Sequence, residues 1–230
     1  SSGNFNYWSG DNPYVPGFPT VEKSKNLPTR EKPAVFILKK RGEVAVLVQL
    51  HRLRYGAAKD GTPVEVSLET GKAVAAGQGD VKFECWSEAP SQEECRQMML
   101  KGIRPPHYNW RWRITAPGGG FTPRKDQFDF EAPEDGYQET LEVTMANDAQ
   151  QWSNFAKKEL FVKTKNGKYA SVVFNLYIMP EGSAFHIDGS YNPSGSRNLE
   201  SDPKKLIKPA RVAEVGLAKA MEEVLKKAGK

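Results

Sequence analysis

Residues 107–115 read HYNWRWRIT and alternate: Tyr108, Trp110, Trp112 and Ile114 fall on one side of an extended chain, His107, Asn109, Arg111 and Arg113 on the other. Successive side chains of a strand point to opposite faces, so this pattern describes a strand with its rings in a core and its charges in water. Any function of such a strand is electrostatic, through Arg111 and Arg113. A second reading stands beside it, in which Trp110 and Trp112 are bare rings that grip a polymer, with the two arginines alongside.

Strand signals continue on both sides. AVFILKK (34–40) and EVAVLVQLHRLR (43–54) flank Arg41-Gly42 and read as a hairpin, the second segment placing Val44, Val46, Val48 and Leu50 on one face. PVEVSLE (63–69), VKFECWS (81–87), YQETLEVTMA (137–146) and AFHIDGSY (184–191) are further strand segments. The clearest hairpin is ELFVKTK (159–165) and YASVVFNLYIM (169–179) around Asn166-Gly167, since both turn residues accept positive φ.

Three segments break the period of two. SQEECRQMMLKG (91–102) carries a capping box in Ser91 and Glu94 and a stop at Gly102, which predicts a short helix. Asn147 or Asp148 is expected to cap a second, with Trp152, Phe155 and Ala156 on one side. Pro209 opens a terminal amphipathic helix to about Lys227, its apolar face carrying Val212, Leu217, Met221, Val224 and Leu225.

The fold class is therefore mainly β: an antiparallel β-sandwich with two short helices and a C-terminal amphipathic helix. Residues 1–33 mix Phe5, Tyr7, Trp8, Tyr14 and Phe18 with many Pro and Gly in no period, which predicts an irregular arm. Residues 34–200 are the sandwich, with a split near residue 147 as the alternative, and 201–230 the linker and helix. At 230 residues the chain buries a sizeable core without metals or disulfides.

The net charge of +5 is uneven, with a basic stretch from Lys23 to Arg54 and an acidic one from Asp126 to Glu142. A field of mixed sign suits a solvated surface better than a nucleic-acid groove. No apolar run is long enough to span a bilayer. The start Ser1-Ser2-Gly3 is read as a processed or trimmed end, as found behind a lipid-bearing cysteine or a cloning scar.

Cys85 and Cys95, ten residues apart, are expected to form a disulfide that places the protein in a secreted, periplasmic or cell-surface setting; buried inert thiols are the alternative. His186 and Asp188 share a strand face and resemble half of a two-His-one-carboxylate iron site, but the other histidines, His51 and His107, lie upstream. A structural histidine is the preferred reading, and neither a metal nor another cofactor is expected. Gly118 to Gly120 reads as a flexible turn, and YNPSGSRNLESDP (191–203) as a connecting loop in which Arg197 could hold an anion.

The function expected from these features is non-catalytic: an extracytoplasmic sandwich binding a carbohydrate or cell-surface polymer, or a partner protein, through Trp8, Trp110, Trp112, Arg111, Arg113 and Arg197. One alternative is an assembly subunit, oligomeric through the arm and the C-terminal helix. The more remote one is a metal-dependent enzyme centred on His186 and Asp188.

Overall fold

Asn166-Gly167 does make a hairpin, by a different turn from the one its residues suggest. Only Gly167 takes a positive φ, 70°. Gly167 N–H donates to the Thr164 carbonyl and Thr164 N–H to the Lys168 carbonyl, which leaves Lys163 opposite Tyr169 as the first pair of the ladder. The strands so joined run at the centre of the larger of two sheets.

The computed structural model describes residues 44–126, 128–180 and 182–228. Trp8, the arm 1–33 and the AVFILKK segment lie outside them. In chain order the elements are β1 (Leu47–Ala57), β2 (Val64–Ser67), β3 (Lys72–Val74), β4 (Val81–Ser87), α1 (Gln92–Leu100), β5 (Trp110–Thr115), β6 (Gly120–Pro123) and β7 (Thr140–Met145). There follow β8 (Phe155–Lys163), β9 (Tyr169–Met179), β10 (Gly182–Asn192), β11 (Leu206–Ile207), α2 (Pro209–Val215) and α3 (Leu217–Ala228). One sheet has the order β11-β1-β10-β9-β8-β6, the other β3-β2-β4-β5-β7. All pairs are antiparallel except β1 with β11. Strands from both sides of residue 147 share the larger sheet.

The two sheets meet through aromatic rings. Phe83 of β4 stacks on Phe185 of β10 at 3.8 Å between centroids, and meets Phe174 of β9 edge-on at 5.2 Å. Trp112 closes edge-on against Phe185 at 5.8 Å. These contacts fill the space between two inner faces, which is what makes the arrangement a sandwich.

The alternation read in residues 107–115 is present in β5. Trp110, Trp112 and Ile114 are buried, while Arg111, Arg113 and Thr115 face outward. Elsewhere the structure corrects the sequence. Residues 147–154 form turns, not a second short helix, and Phe155 begins β8. The backbone there is bonded to its neighbours: Trp110 Nε1–H donates to the Ser153 carbonyl at 2.9 Å, and Ile178 N–H to the Asn154 carbonyl at 2.9 Å. Trp152 is held flat against His107 at 4.4 Å and donates to the Tyr108 carbonyl. Bonds to β5 and β9 thus hold the end of this segment in an extended path that a helix could not follow.

The terminal helix is likewise two, broken at Gly216 with φ 82°. Arg211 clasps them by bonding Glu214 and Glu223. The apolar face of α3 packs on its own sandwich through the buried Ala220 with Leu217, Met221 and Val224 around it. Gly119 is a close approach rather than a loose turn, since a Cβ there would lie 1.9 Å from the Lys163 carbonyl oxygen.

A second, smaller cluster of Leu47, Ala132, Phe161, Tyr169 and Leu199 lies on the outer side of the larger sheet, near the Asn166-Gly167 hairpin. Leu199 comes from the turn-rich segment after β10 and Ala132 from the segment before β7. Arg197 ties the two together through the Ala132 carbonyl and the carboxylates of Glu131 and Glu134. The loop expected merely to connect therefore covers half of a sheet face. Among the described residues, nothing covers the other half.

Candidate functional site

The open half is built by register. β8, β9, β10 and β1 lie side by side, and the alternation of each strand sends one set of side chains outward. One row across them runs Phe155, Tyr177, Ala184, Gly56, and the next runs Lys157, Asn175, His186, Arg54. Phe155 and Tyr177 sit 5.0 Å apart at 39°, and Tyr177 meets the His186 ring at 4.8 Å. Phe155 is 37% exposed and Met179, two residues beyond Tyr177 on the same face, 44%. The first row falls from two rings to a methyl group to a glycine with open space above it. The result is a shallow shelf with an aromatic wall.

The polar row beside it is poised for a ligand. Among the described residues, no hydrogen bond or ion pair holds the side chains of Arg54, Asn175 or His186. Desolvation, with Arg54 nearby, pulls the His186 imidazole below its ordinary value against the opposing pull of Asp188, so the ring is neutral at pH 7 and offers one donor and one acceptor. Lys157 is paired with Glu159 at 2.6 Å.

One row further, β1 carries a bulge between Leu50 and Leu53. Arg52 adopts φ 50°, the one positive φ among the described non-glycine residues, and its N–H donates to Asp188 Oδ1 at 2.9 Å. His51 Nδ1 lies 3.5 Å from the same oxygen. Asp188 thus holds the bulge, and His51 and Arg52 turn outward.

The residues singled out from the sequence fare differently. Trp112 is 0% and Trp110 4% exposed, so neither ring has a face to offer a polymer. Arg111 lies 4.2 Å over the ring of Trp86, which also packs against Gly61, where a Cβ would come within 2.4 Å. Arg113 pairs with Glu142 at 2.9 Å. The outer face of the smaller sheet is therefore engaged with itself. Arg197, bound to the segment before β7, acts as a brace.

The expected disulfide is not formed. Cys85 and Cys95 are free thiols. Cys85 points into the core from β4 and lies 3.0 Å from Ser183 Oγ, while Cys95 faces the Pro90 carbonyl on α1. Burial pushes the Cys85 thiol up to about 11, which suits an inert side chain and not a nucleophile.

His186 and Asp188 do share the open face, with His51 beyond Asp188. Among the described residues, however, no group of three or more His, Cys, Asp or Glu is placed to hold a metal ion. No helix among them is long and apolar enough to cross a membrane.

Phe155, Tyr177, Asn175 and Arg54 were not legible as a site. Phe155 was hidden in an expected helix. Tyr177 and Asn175 lie in an eleven-residue run, YASVVFNLYIM, whose outward positions include Val173 and Met179 and so mask the period. The chain matches no protein-family model, no curated protein and no solved structure. The chemistry of the shelf is thus read from its geometry.

Proposed function

We propose that this chain is a non-catalytic binding module of the extracytoplasmic space, holding an extended carbohydrate polymer across the open half of its larger sheet. The observation that carries the reading is the pairing of a part-exposed ring wall, Phe155 and Tyr177, with a parallel row of polar side chains, Asn175, His186 and Arg54, that have no bonded partner among the described residues. Sugar rings present apolar C–H faces and a rim of hydroxyls. A flat sheet face with rings in one row and donors and acceptors in the next meets both at once. Four strands at their ordinary spacing span about 15 Å, room for a short run of sugars and not a single one. Rigid strands also lower the entropy lost on binding, because the shelf is already ordered.

The free cysteines lend nothing to an extracytoplasmic placement, which rests on the kind of polymer such a shelf suits. The test is affinity electrophoresis in gels containing soluble polysaccharides. Tyr177→Ala and Phe155→Ala are expected to weaken retardation by roughly tenfold each with the fold retained, as loss of a central ring does at binding surfaces. Arg113→Gln, on the opposite sheet, is expected to change nothing. Retardation equal to wild type in both ring variants, or none by any polysaccharide, would refute the reading.

A further inference from the structure

Given the platform reading, the charge of the polymer follows from the side chains at the β1 end of the shelf. We infer that the platform takes an acidic polysaccharide, bearing carboxylate or sulfate-ester groups, with its anionic groups seated against Arg54, Arg52 and a lysine-rimmed hollow beyond β1.

Arg54 stands directly opposite His186 and ends the polar row. The bulge next to it turns Arg52 outward as well, in a strained backbone conformation that Asp188 maintains by accepting the Arg52 N–H. Past the edge of β1 lies a hollow of about 330 Å³, lined by Gln49, His51, Thr70, Lys72 and Lys208 among others. Arg52 and Arg54 on β1, with Lys72 and Lys208 of the adjoining hollow, thus bring four cationic side chains to the β1 side of the shelf.

The carboxylates of the surrounding elements are already committed. Asp188 is taken by the bulge N–H and by His51, Glu159 by Lys157, and Glu69 by Lys168. Glu214 and Glu223 are held by Arg211. Among the described residues, Arg52, Arg54, Lys72 and Lys208 have no carboxylate partner. Cations left unpaired beside a hydrogen-bonding shelf create a local positive potential, and an anion is the complement.

A nucleic acid is also a polyanion, but the shelf suits it poorly. Its two rings are tilted by 39° rather than stacked as a platform for successive bases.

The test uses the whole chain in native gels containing polygalacturonate, dextran sulfate or neutral dextran, with oligo-dT as a separate competitor. The expected result is retardation by one of the acidic polymers at least about tenfold stronger than by dextran, the scale of one or two charge-assisted contacts. The double variant Arg54→Gln, Lys72→Gln should abolish that preference, while Tyr177→Ala weakens retardation by every polymer that binds. Which acidic polymer is bound more tightly separates carboxylate from sulfate ester. Dextran retained as tightly as the acidic polymers, with dependence on Tyr177, would overturn the anionic assignment and leave the platform intact. A preference unchanged in the double variant, or oligo-dT competing as strongly as the acidic polysaccharide, would overturn it too. Retardation insensitive to Tyr177→Ala would sink the platform and this inference together.

Discussion

Trp112→Phe should cost almost no stability, against the usual rule for a fully buried tryptophan. Trp112 is 0% exposed and packs edge-on against Phe185, so truncation to alanine is expected to destabilise by about 3–5 kcal/mol. Phenylalanine keeps a ring for that contact and gives up three heavy atoms. Two of them are carbons, and losing their burial costs about 1.6 kcal/mol, with a further contribution from the small cavity left behind. The third is Nε1, which is buried with no hydrogen-bond partner among the described residues. A buried donor in that position carries a desolvation penalty of about 1–3 kcal/mol, which the phenyl ring removes. The two effects nearly cancel, and the net change is expected within about 1 kcal/mol of zero. Urea denaturation followed by circular dichroism measures both variants on one scale. A loss above about 2 kcal/mol for Trp112→Phe would mean that the indole N–H is satisfied, and the balance drawn here would be wrong. Binding supplies a second readout, since Trp112→Phe should leave polysaccharide retardation unaltered.

Two further outcomes follow from buried polar groups. Thiol titration under denaturing, non-reducing conditions should count two thiols per chain, and in the native protein Cys85 should react far more slowly than when unfolded; a count of zero would restore the disulfide. Glu65 is desolvated, yet N–H groups of Gly77 and Gly79, with Lys82 and Lys165 nearby, outweigh that burial and hold its carboxyl below the ordinary 4.5. A depressed folded value means that its stabilisation is fully present above 4.5 and is lost as pH falls through the folded value. Glu65→Gln should therefore lie below wild type by about 1.5–3 kcal/mol at pH 7, with the gap narrowing in acid; a gap that widens as pH falls would contradict the assignment.

The sequence was legible where a local rule decides the outcome. Alternation in residues 107–115 assigned the inner and outer faces of β5, the Ser91 and Glu94 capping box is closed in the structure, and Asn166-Gly167 marks the central hairpin. It was illegible where a residue's partners lie far away along the chain. Trp152 and Phe155 sit at helical spacing, but the Trp110 indole and the Ile178 amide, distant in sequence, capture the backbone between them. The terminal pattern was right about which face of α3 is apolar and missed the break at Gly216, because a helical periodicity survives a single residue of positive φ. Nothing in the spacing of Cys85 and Cys95 revealed that one points into the core from β4 and the other turns to the Pro90 carbonyl from α1.

The candidate site lies at the far end of that scale. Phe155, Tyr177, His186 and Arg54 belong to four strands, and their adjacency is a matter of register between β8 and β9, β9 and β10, β10 and β1. A slip of one residue in any of these pairings would turn its outward set inward. The same sheet face shows what such a ring does when it is wanted only for stability: Phe161, on the same side of β8, is 2% exposed beneath Ala132 and Leu199. Covering loops reach that half of the face, and Arg197 locks them there. Six residues earlier on the same strand Phe155 remains 37% exposed, beside a histidine, an asparagine and an arginine that no hydrogen bond or ion pair satisfies among the described residues. Leaving two fifths of a phenylalanine and a methionine in water forgoes burial worth roughly 0.6–1.3 kcal/mol apiece. A chain that buries Phe161 on the same surface has the means to bury them, so their exposure argues for an occupant.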